Sequence, residues 1–326
     1  MTTDSGGGRL AAAWDGLPAV AQAAVHATLG TLFFAAMSLL IRHISASLHV
    51  LEIVFFRNFL AIVWMLPWMI RIGPVGLRTT RLGAYSLRAG LGLFGMIAGF
   101  MSYTMIPLGD ATALTFTAPL FATAIAALFL GEVVRIRRWT AIVVGLIGAL
   151  IVLRPGVESI QLGALLALVN AVTMAINNIL TQSLARTEPT GAIVTYMVLL
   201  MAPLSLIPAI FVWQWPDWST LFWLFMLAGT GTAGHWYVTR AYVKADVTFV
   251  MPFDFLRLPL TALFAWLLFA ELPTVYTWIG GAVIFASTFY IVWRESHLAA
   301  RGELEQATPP AGGAPAPAPE RRPVRD

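Results

Sequence analysis

The stretch GAIVTYMVLLMAPLSLIPAIFVW, residues 191–213, decides the class of this protein because it contains no charged side chain. A helix of about 20 apolar residues crosses a hydrocarbon core of about 30 Å. Similar runs recur along the chain, at 19–41, 50–70, 83–106, 111–131, 138–154, 160–182, 191–213, 219–241, 247–270 and 274–293. We therefore predict an all-α integral membrane protein with ten transmembrane helices.

The composition of the whole chain agrees with this class. Of its 326 residues, 59% are hydrophobic and only 11% are charged, and the mean hydropathy is +0.79, whereas soluble domains carry about 25% charged residues. The chain has no cysteine, which excludes disulfides, thiolate chemistry and iron–sulfur clusters. The first apolar run is longer than the 7–15 residues of a signal-peptide core, so we expect an uncleaved helix.

The basic residues are distributed by side of the membrane, so the net charge of +4 does not predict a nucleic-acid partner. The side that holds the N-terminus carries Arg9, Arg71, Arg78, Arg81, Arg135, Arg137, Arg138, Arg186, Arg240, Lys244 and the arginines from Arg294 onward. The opposite side carries only Arg42 and Arg154. By the positive-inside rule, both termini are cytoplasmic, which requires an even number of spans.

An internal repeat divides the chain into two halves. In the first, Asp110 precedes a proline-containing run, then LFLGE ending at Glu132, then the glycine-rich run VVGLIGALIVLRP. In the second, Asp246 precedes another proline-containing run, then LLFAE ending at Glu271, then WIGGAVIFASTFYIVWR. Five spans in each half place the second half in the opposite orientation, as in alternating-access transporters. The alternative is that apolar sequences look alike by chance.

The repeat sets the expected domain boundaries. Residues 1–18 form a cytoplasmic N-terminal segment, 19–154 the first five-helix repeat and 155–294 the second. Residues 295–326 include ATPPAGGAPAPAPERRPVRD, which is rich in Pro, Ala and Gly. Such a segment has no apolar face to bury, so we expect a disordered cytoplasmic tail.

Four stretches carry a resemblance to a known family: FFRN at 55–58, ATALTFTAPLFATAIAALFLGE at 111–132, RRWTAIVVGLIGALIVLRPG at 137–156 and PFDFLRLPLTALFAWLLFAE at 252–271. They resemble the paired EamA-type repeats of the drug/metabolite transporter superfamily. The resemblance implies a multi-pass, ten-helix transporter of the bacterial inner membrane, with two inverted repeats around a central cavity. Similar proteins handle amino acids, nucleosides, S-adenosylmethionine and riboflavin, so no one substrate is implied.

Asp254 and Arg257 lie within the ninth run, where a lone charge would cost about 2.5–3.5 kcal/mol. Their spacing of three places them on one helical face, where they can pair. Pro259 lies beside them, and Pro119 occupies the corresponding run of the first half. We predict an irregular stretch that lines the substrate path; the alternative is a buried pair that only fixes helix packing. The Asp254 carboxyl is also the candidate for proton coupling.

Other polar groups within the runs are candidates for substrate binding. They are His235, Trp236 and Tyr237 of the eighth run, Asn170 and Asn177 of the sixth, and Tyr103 of the third. Each has a structural alternative: Trp and Tyr mark the membrane interface, asparagines bond neighbouring helices, and the glycines before Tyr103 favour close helix packing.

Three further residues are assigned structural or coupling roles. Arg57 lies deep in the second run and needs an acceptor on another helix or a carbonyl. In the family that the sequence resembles an arginine recurs at this position, and the resemblance favours a structural clamp over substrate contact. Glu52, near the outer end of the same run, is expected to reach water. His26 in the first run is either a proton carrier or a packing residue.

These patterns predict a secondary transporter of a small organic metabolite, either an amino acid or a ring-bearing molecule such as S-adenosylmethionine, riboflavin or a nucleoside. The sequence has no P-loop, no HExxH and no GxSxG motif, so we predict no ATP use, enzyme activity, cofactor or metal site. The alternatives are a non-transporting scaffold or sensor and an integral-membrane enzyme. Partners are the substrate and the lipid bilayer; a homodimer, the coupling ion and the direction of transport stay open.

Overall fold

The structure, a computed structural model, describes residues 14, 16–73, 78–129, 136–154, 161–185, 187–245 and 247–307. We number the helices of these ranges in chain order: α1 (Ala19–Ile44), α2 (Val50–Ile72), α3 (Leu82–Met105), α4 (Leu108–Thr115), α5 (Ala118–Phe129), α6 (Ile136–Leu153), α7 (Leu162–Ala185), α8 (Thr190–Ile210), α9 (Trp218–Lys244), α10 (Val247–Asp254), α11 (Arg257–Phe269) and α12 (Val275–Ala307). Glu132, Arg135, Arg186 and Asp246, used in the sequence patterns, lie outside the described residues.

Among the described residues, six segments are long and apolar enough to cross a membrane. They are Ala19–Ile44, Val50–Arg71, Leu82–Met105, Leu108–Ile125, Leu162–Ala185 and Thr190–Ile210. Shorter apolar helices span Trp139–Leu153, Arg257–Phe269 and Val275–Ile291. The prediction of an all-helical protein that crosses the membrane several times is therefore confirmed.

The fourth and ninth predicted runs are each broken near the middle. Residues 116–117 separate α4 from α5, and residues 255–256 separate α10 from α11. Pro119 and Pro259 follow these breaks closely. Proline has no N–H to bond the carbonyl four residues earlier, which weakens the helix at that turn. Each of these runs, counted above as one span, is thus a pair of short helices, and the irregular stretch expected beside Asp254 and Arg257 is the break between α10 and α11.

The helix pairs are arranged with an approximate two-fold relation between the halves. α1 packs on α9, and the equivalent helices of the other half, α7 and α3, pack on one another. α2 packs on α8 and α6 on α12, so each of these helices contacts its own counterpart. Between the two broken segments, α4 packs on α11. The two broken segments therefore meet at the centre of the molecule.

The contact between α6 and α12 depends on two glycines. A Cβ at Gly148 would lie 2.9 Å from the Gly280 carbonyl oxygen and 2.9 Å from Cγ1 of Ile284. A Cβ at Gly280 would lie 2.6 Å from the Gly148 carbonyl oxygen. Because the obstacles include backbone atoms, which cannot turn away, these helices approach this closely only with glycine at both positions.

The side of the molecule where α1 ends is closed by tightly packed apolar residues. Ile41, Ile53, Val54 and Leu108 are each 0% exposed and belong to the largest hydrophobic cluster of the described residues. Trp213, in the connection between α8 and α9, covers this cluster with its ring centroid 5.5 Å from that of Phe55. We call this side the closed face.

An ion pair crosses the closed face. Arg42 Nη2 lies 2.5 Å from Glu271 Oε1, and the other carboxylate oxygen of Glu271 accepts the Leu108 N–H at 3.1 Å. Arg42 Nη1 also donates to the carbonyl oxygens of Tyr103 and Thr104, at 3.1 and 2.9 Å. These bonds join the end of α1, the end of α3, the start of α4 and Glu271, the second residue after α11.

Glu52 does not reach water, so this expectation is wrong. Its side chain is 0% exposed, and Oε1 accepts the backbone N–H of Gln214 at 2.5 Å. The connection between α8 and α9 folds over the start of α2 and brings a backbone donor to the carboxylate. Glu52 is therefore a structural residue that holds this connection against the closed face.

The last helix continues beyond the predicted start of the tail. α12 extends to Ala307, whereas disorder was expected from residue 295. The segment ESHLAARGELEQA, residues 295–307, contains mostly good helix formers such as Ala, Leu, Glu and Gln, which allow the helix to extend past the apolar run. The rest of the predicted tail, residues 308–326, lies outside the described residues.

Candidate substrate site

A cavity of about 230 Å³ lies between the two halves. Its walls include residues from both broken segments and from α1, α2, α3, α7, α8 and α9. Its polar and charged lining residues are Thr31, Arg57, Arg88, Tyr103, Thr115, Asn170, Thr173, Asn177, Asn178, Thr181, His235, Thr239, Tyr242, Asp254 and Arg257. The cavity extends from Tyr103 towards Arg88, and thus away from the closed face.

Asp254 and Arg257 lie at the break between α10 and α11. Asp254 is the last residue of α10 and Arg257 the first of α11, and Arg257 Nη2 lies 3.2 Å from Asp254 Oδ2. The side chain of Asp254 is 36% exposed and that of Arg257 only 6%. The carboxylate is thus open to the cavity, while the guanidinium is held in the wall.

The two breaks touch through aromatic rings. The ring centroids of Phe116 and Phe255 lie 4.6 Å apart, and Arg257 Cζ lies 5.4 Å from the Phe116 ring centroid. Thr31 of α1 donates to the Phe253 carbonyl oxygen at 3.1 Å, beside the break. Pro119 lines the cavity, whereas Pro259 lies outside the lining and acts through the shape of α11.

Arg57 is fully buried and only partly hydrogen-bonded. Its side chain is 0% exposed, and Nη1 donates to Asn58 Oδ1 at 2.9 Å. Nε and Nη2 have no hydrogen-bond partner among the described residues. A Cβ at Gly231 would lie 2.8 Å from Nη2, so the glycine at this position of α9 lets the guanidinium lie close to the helix backbone. Arg57 therefore places a charge with an incomplete set of hydrogen bonds in the cavity wall, next to α9.

Arg88 is a cavity residue that the sequence analysis missed. It is 7% exposed, and its Nε donates to Thr181 Oγ1 at 2.8 Å. Arg88 lies within the third apolar run, where a charge is costly. The same cost drew attention to Arg57 and Arg257 above, and it could have identified Arg88 as well. His235 of α9 is within electrostatic range of both Arg57 and Arg88.

The remaining predicted substrate residues divide between the cavity and other places. Asn170, Asn177, Tyr103 and His235 line the cavity. Trp236 and Tyr237 do not belong to its lining, because successive residues of a helix project about 100° apart. The Trp236 ring lies 6.3 Å from that of Trp68 and 5.2 Å from Arg240 Cζ, and the Tyr237 ring stacks on Phe33 at 5.7 Å.

His26 also lies outside the cavity lining. Its ring centroid is 5.1 Å from that of Trp14 and 5.7 Å from that of Tyr237. The residue is 5% exposed, and its Nδ1 has no hydrogen-bond partner among the described residues. This environment is that of an aromatic packing residue, which was one of the two roles expected.

A family model matches both halves of the chain. The EamA-like transporter family matches residues 22–154 and again residues 161–293. A solved crystal structure, 17% identical in sequence, superposes with a TM-score of 0.62 over 85% of this chain and 99% of that chain. At this identity the superposition shows the fold alone.

Characterised relatives carry different small molecules. A riboflavin transporter of Vibrio cholerae is 35% identical over 73% of this chain and 80% of its own length. An S-adenosylmethionine uptake transporter of Rickettsia felis is 29% identical over 81% of this chain and 90% of its length. A pseudopaline exporter of Pseudomonas aeruginosa is 31% identical over 79% of this chain and 91% of its own length. With both halves matched by one family model, this chain belongs to the EamA-like transporter family and is a multi-pass membrane transporter of small metabolites.

Proposed function

We propose that this protein carries a ring-bearing metabolite of the riboflavin class across the bacterial inner membrane by alternating access. The observation that carries the proposal is the meeting of the two broken segments at one cavity, through Phe116 and Phe255. Discontinuous helices at the interface of inverted repeats form the binding sites of many secondary transporters.

The proposal includes ten crossings with both termini in the cytoplasm. Each broken pair, α4 with α5 and α10 with α11, counts as one crossing, and the other eight helices as one each. The two-fold relation between helix pairs supports inverted repeats. The clustering of Arg71, Arg78 and Arg81 on one side, opposite Arg42, supports the orientation.

The cavity suits a flat ring with polar edges. Phe34, Phe100, Phe116 and Phe255 supply aromatic surfaces, which stack on other rings in offset or edge-to-face arrangements. The asparagines of α7 supply amide groups, and Asn177 Oδ1 has no hydrogen-bond partner among the described residues. Three relatives that are 32–35% identical to this chain are riboflavin transporters. Both observations favour riboflavin over a simple amino acid.

S-adenosylmethionine is the second candidate because relatives of 28–29% identity take it up. Its sulfonium centre is a cation. The described cavity walls hold three arginines, Arg57, Arg88 and Arg257, and Asp254 as the single carboxylate. With an ammonium group besides the sulfonium and only one carboxylate, S-adenosylmethionine has a net positive charge, which this excess of arginines would repel, so the charge of the cavity favours riboflavin.

Purified protein in lipid nanodiscs is expected to be stabilised by riboflavin, and in proteoliposomes to take it up at a saturable rate. A ligand that binds at 100 times its Kd raises the unfolding free energy by about 2.7 kcal/mol. The measurements are the midpoint of thermal unfolding and the initial rate of labelled riboflavin uptake, with S-adenosylmethionine as the competitor. Folded protein that neither binds nor carries riboflavin, or that prefers S-adenosylmethionine, would remove the riboflavin assignment.

The ion pair of the closed face is expected to act as a gate. In Glu271→Gln, the charge-assisted contact with Arg42 is lost, which is worth about 1.5–3 kcal/mol. The population open at that face should rise about tenfold. The natural chain has no cysteine, so the labelling rate of a single cysteine introduced at Thr115, with a membrane-impermeant maleimide, measures this opening. Asp217→Asn, which changes an exposed helix-capping carboxylate preceding α9, is the matched control. Equal labelling in both variants would exclude a gate.

A further inference from the structure

The charges of the cavity do not balance. Among the described lining residues, Arg57, Arg88 and Arg257 are basic and Asp254 alone is acidic. Asp254 pairs with Arg257 across the break between α10 and α11. Arg57 and Arg88 are thus left without a carboxylate partner on the described cavity wall.

These two arginines converge on one part of the cavity, which we call the basic end. Arg57 comes from α2, Arg88 from α3 and the nearby His235 from α9. His235 is within electrostatic range of both guanidinium groups. Arg57 is 0% exposed and Arg88 is 7% exposed, so water and salt screen their charges poorly.

The unused donors of the basic end point to a ligand. Nε and Nη2 of Arg57 have no hydrogen-bond partner among the described residues, although polar atoms buried this deeply are normally bonded. Arg88 is anchored through Nε to Thr181, which fixes the plane of its guanidinium and leaves its terminal nitrogens for a ligand. A guanidinium binds carboxylate and phosphate through paired parallel hydrogen bonds.

We infer that the basic end is an anion subsite, and that the transported metabolite carries a carboxylate or phosphate group in addition to its ring. This inference rests on the proposed function and narrows its substrate class. A buried charge is costly unless it is paired, and an anionic group of the substrate would supply the pair that the protein lacks. The aromatic surfaces near Phe116 and Phe255 would hold the ring.

Riboflavin and riboflavin 5′-phosphate test this inference, since they share one ring system and differ by a phosphate. The Kd of each is measured by flavin fluorescence with the full-length protein in nanodiscs. We expect the wild type to bind the phosphate ester at least about tenfold more tightly, the effect of one charge-assisted contact. In Arg88→Gln the ratio of the two Kd values should fall to about one, and Arg88→Lys should restore part of the preference for the phosphate ester.

The outcomes separate the inference from the proposed function. Equal binding of both flavins by the wild type, or a preference that survives Arg88→Gln, overturns the anion subsite and leaves the riboflavin assignment intact. If folded protein binds neither flavin, the riboflavin assignment fails, and inorganic phosphate and acetate become the probes. Stabilisation by either ion in the wild type but not in Arg88→Gln would support the subsite and would tell phosphate from carboxylate; no stabilisation by either would overturn it.

Discussion

The double variant Asp254→Asn/Arg257→Gln is expected to insert and fold but to transport at least about tenfold more slowly than the wild type. The Asp254 side chain is 36% exposed at the cavity, so a polar group of the substrate can reach the carboxylate and replace its contact with Arg257. Losing one charge-assisted contact to the substrate costs about 1.5–3 kcal/mol, which corresponds to a factor of about ten or more. The measurement is initial uptake in proteoliposomes, normalised to folded protein.

Single variants and a swapped pair separate transport from packing. Asp254→Asn alone leaves the buried Arg257 uncompensated, which costs about 3 kcal/mol of stability, the low end for a buried pair because the carboxylate is partly exposed. The swap Asp254→Arg/Arg257→Asp keeps an ion pair but reverses its direction. If the pair only fixes packing, the double variant and the swap will both transport at wild-type rates. If the pair contacts substrate, both will be slow.

Gly280→Leu is expected to prevent stable folding. Its side chain would enter the backbone of α6, where even a Cβ lies 2.6 Å from the Gly148 carbonyl oxygen. Overpacking of a core costs about 1–3 kcal/mol when side chains can move, and more is expected here because the obstacle is backbone. The measurement is the yield and the unfolding midpoint of the detergent-purified protein.

Gly90→Leu is the matched control for this variant. Gly90 lies within α3 and is exposed, and a Cβ there meets no described atom within 4 Å. Leucine also favours a helix more than glycine by roughly 0.5–1 kcal/mol. Gly90→Leu should therefore fold as well as the wild type. A Gly280→Leu protein as stable as Gly90→Leu would show that α6 and α12 need not be close.

Much of the architecture could be predicted from local sequence. Hydropathy identified the membrane class because the bilayer requires long apolar runs in every crossing. The high cost of a charge within the membrane identified Asp254, Arg257 and Arg57 as candidate functional residues, and the structure places all three at the cavity. Proline marked the two broken segments: an irregular stretch was expected in the ninth run, whereas no break was predicted in the fourth.

The parts that could not be predicted depend on contacts between distant segments. Glu52 meets a backbone N–H that is 162 residues away in sequence, and no local pattern indicates that partner. The rotation of α9 decides that His235 faces the cavity and Trp236 does not, and apolar residues surround this helix on several sides. Arg88 is different, because the rule applied to the other arginines would have identified it.

The ring contact between Phe116 and Phe255 is a place where the two halves of the protein touch through apolar side chains. These two rings are tilted by 54° to one another, and such apolar rings can shift past one another because they share no directional hydrogen bond that would have to break. A rotation of one half against the other would therefore break few directional contacts at these rings. It would have to break the bonds of Arg42 to Glu271 and to two carbonyl oxygens at the closed face. We therefore expect the rate at which the protein changes the side it faces to depend on these bonds at the closed face, and not on the ring contact beside the cavity.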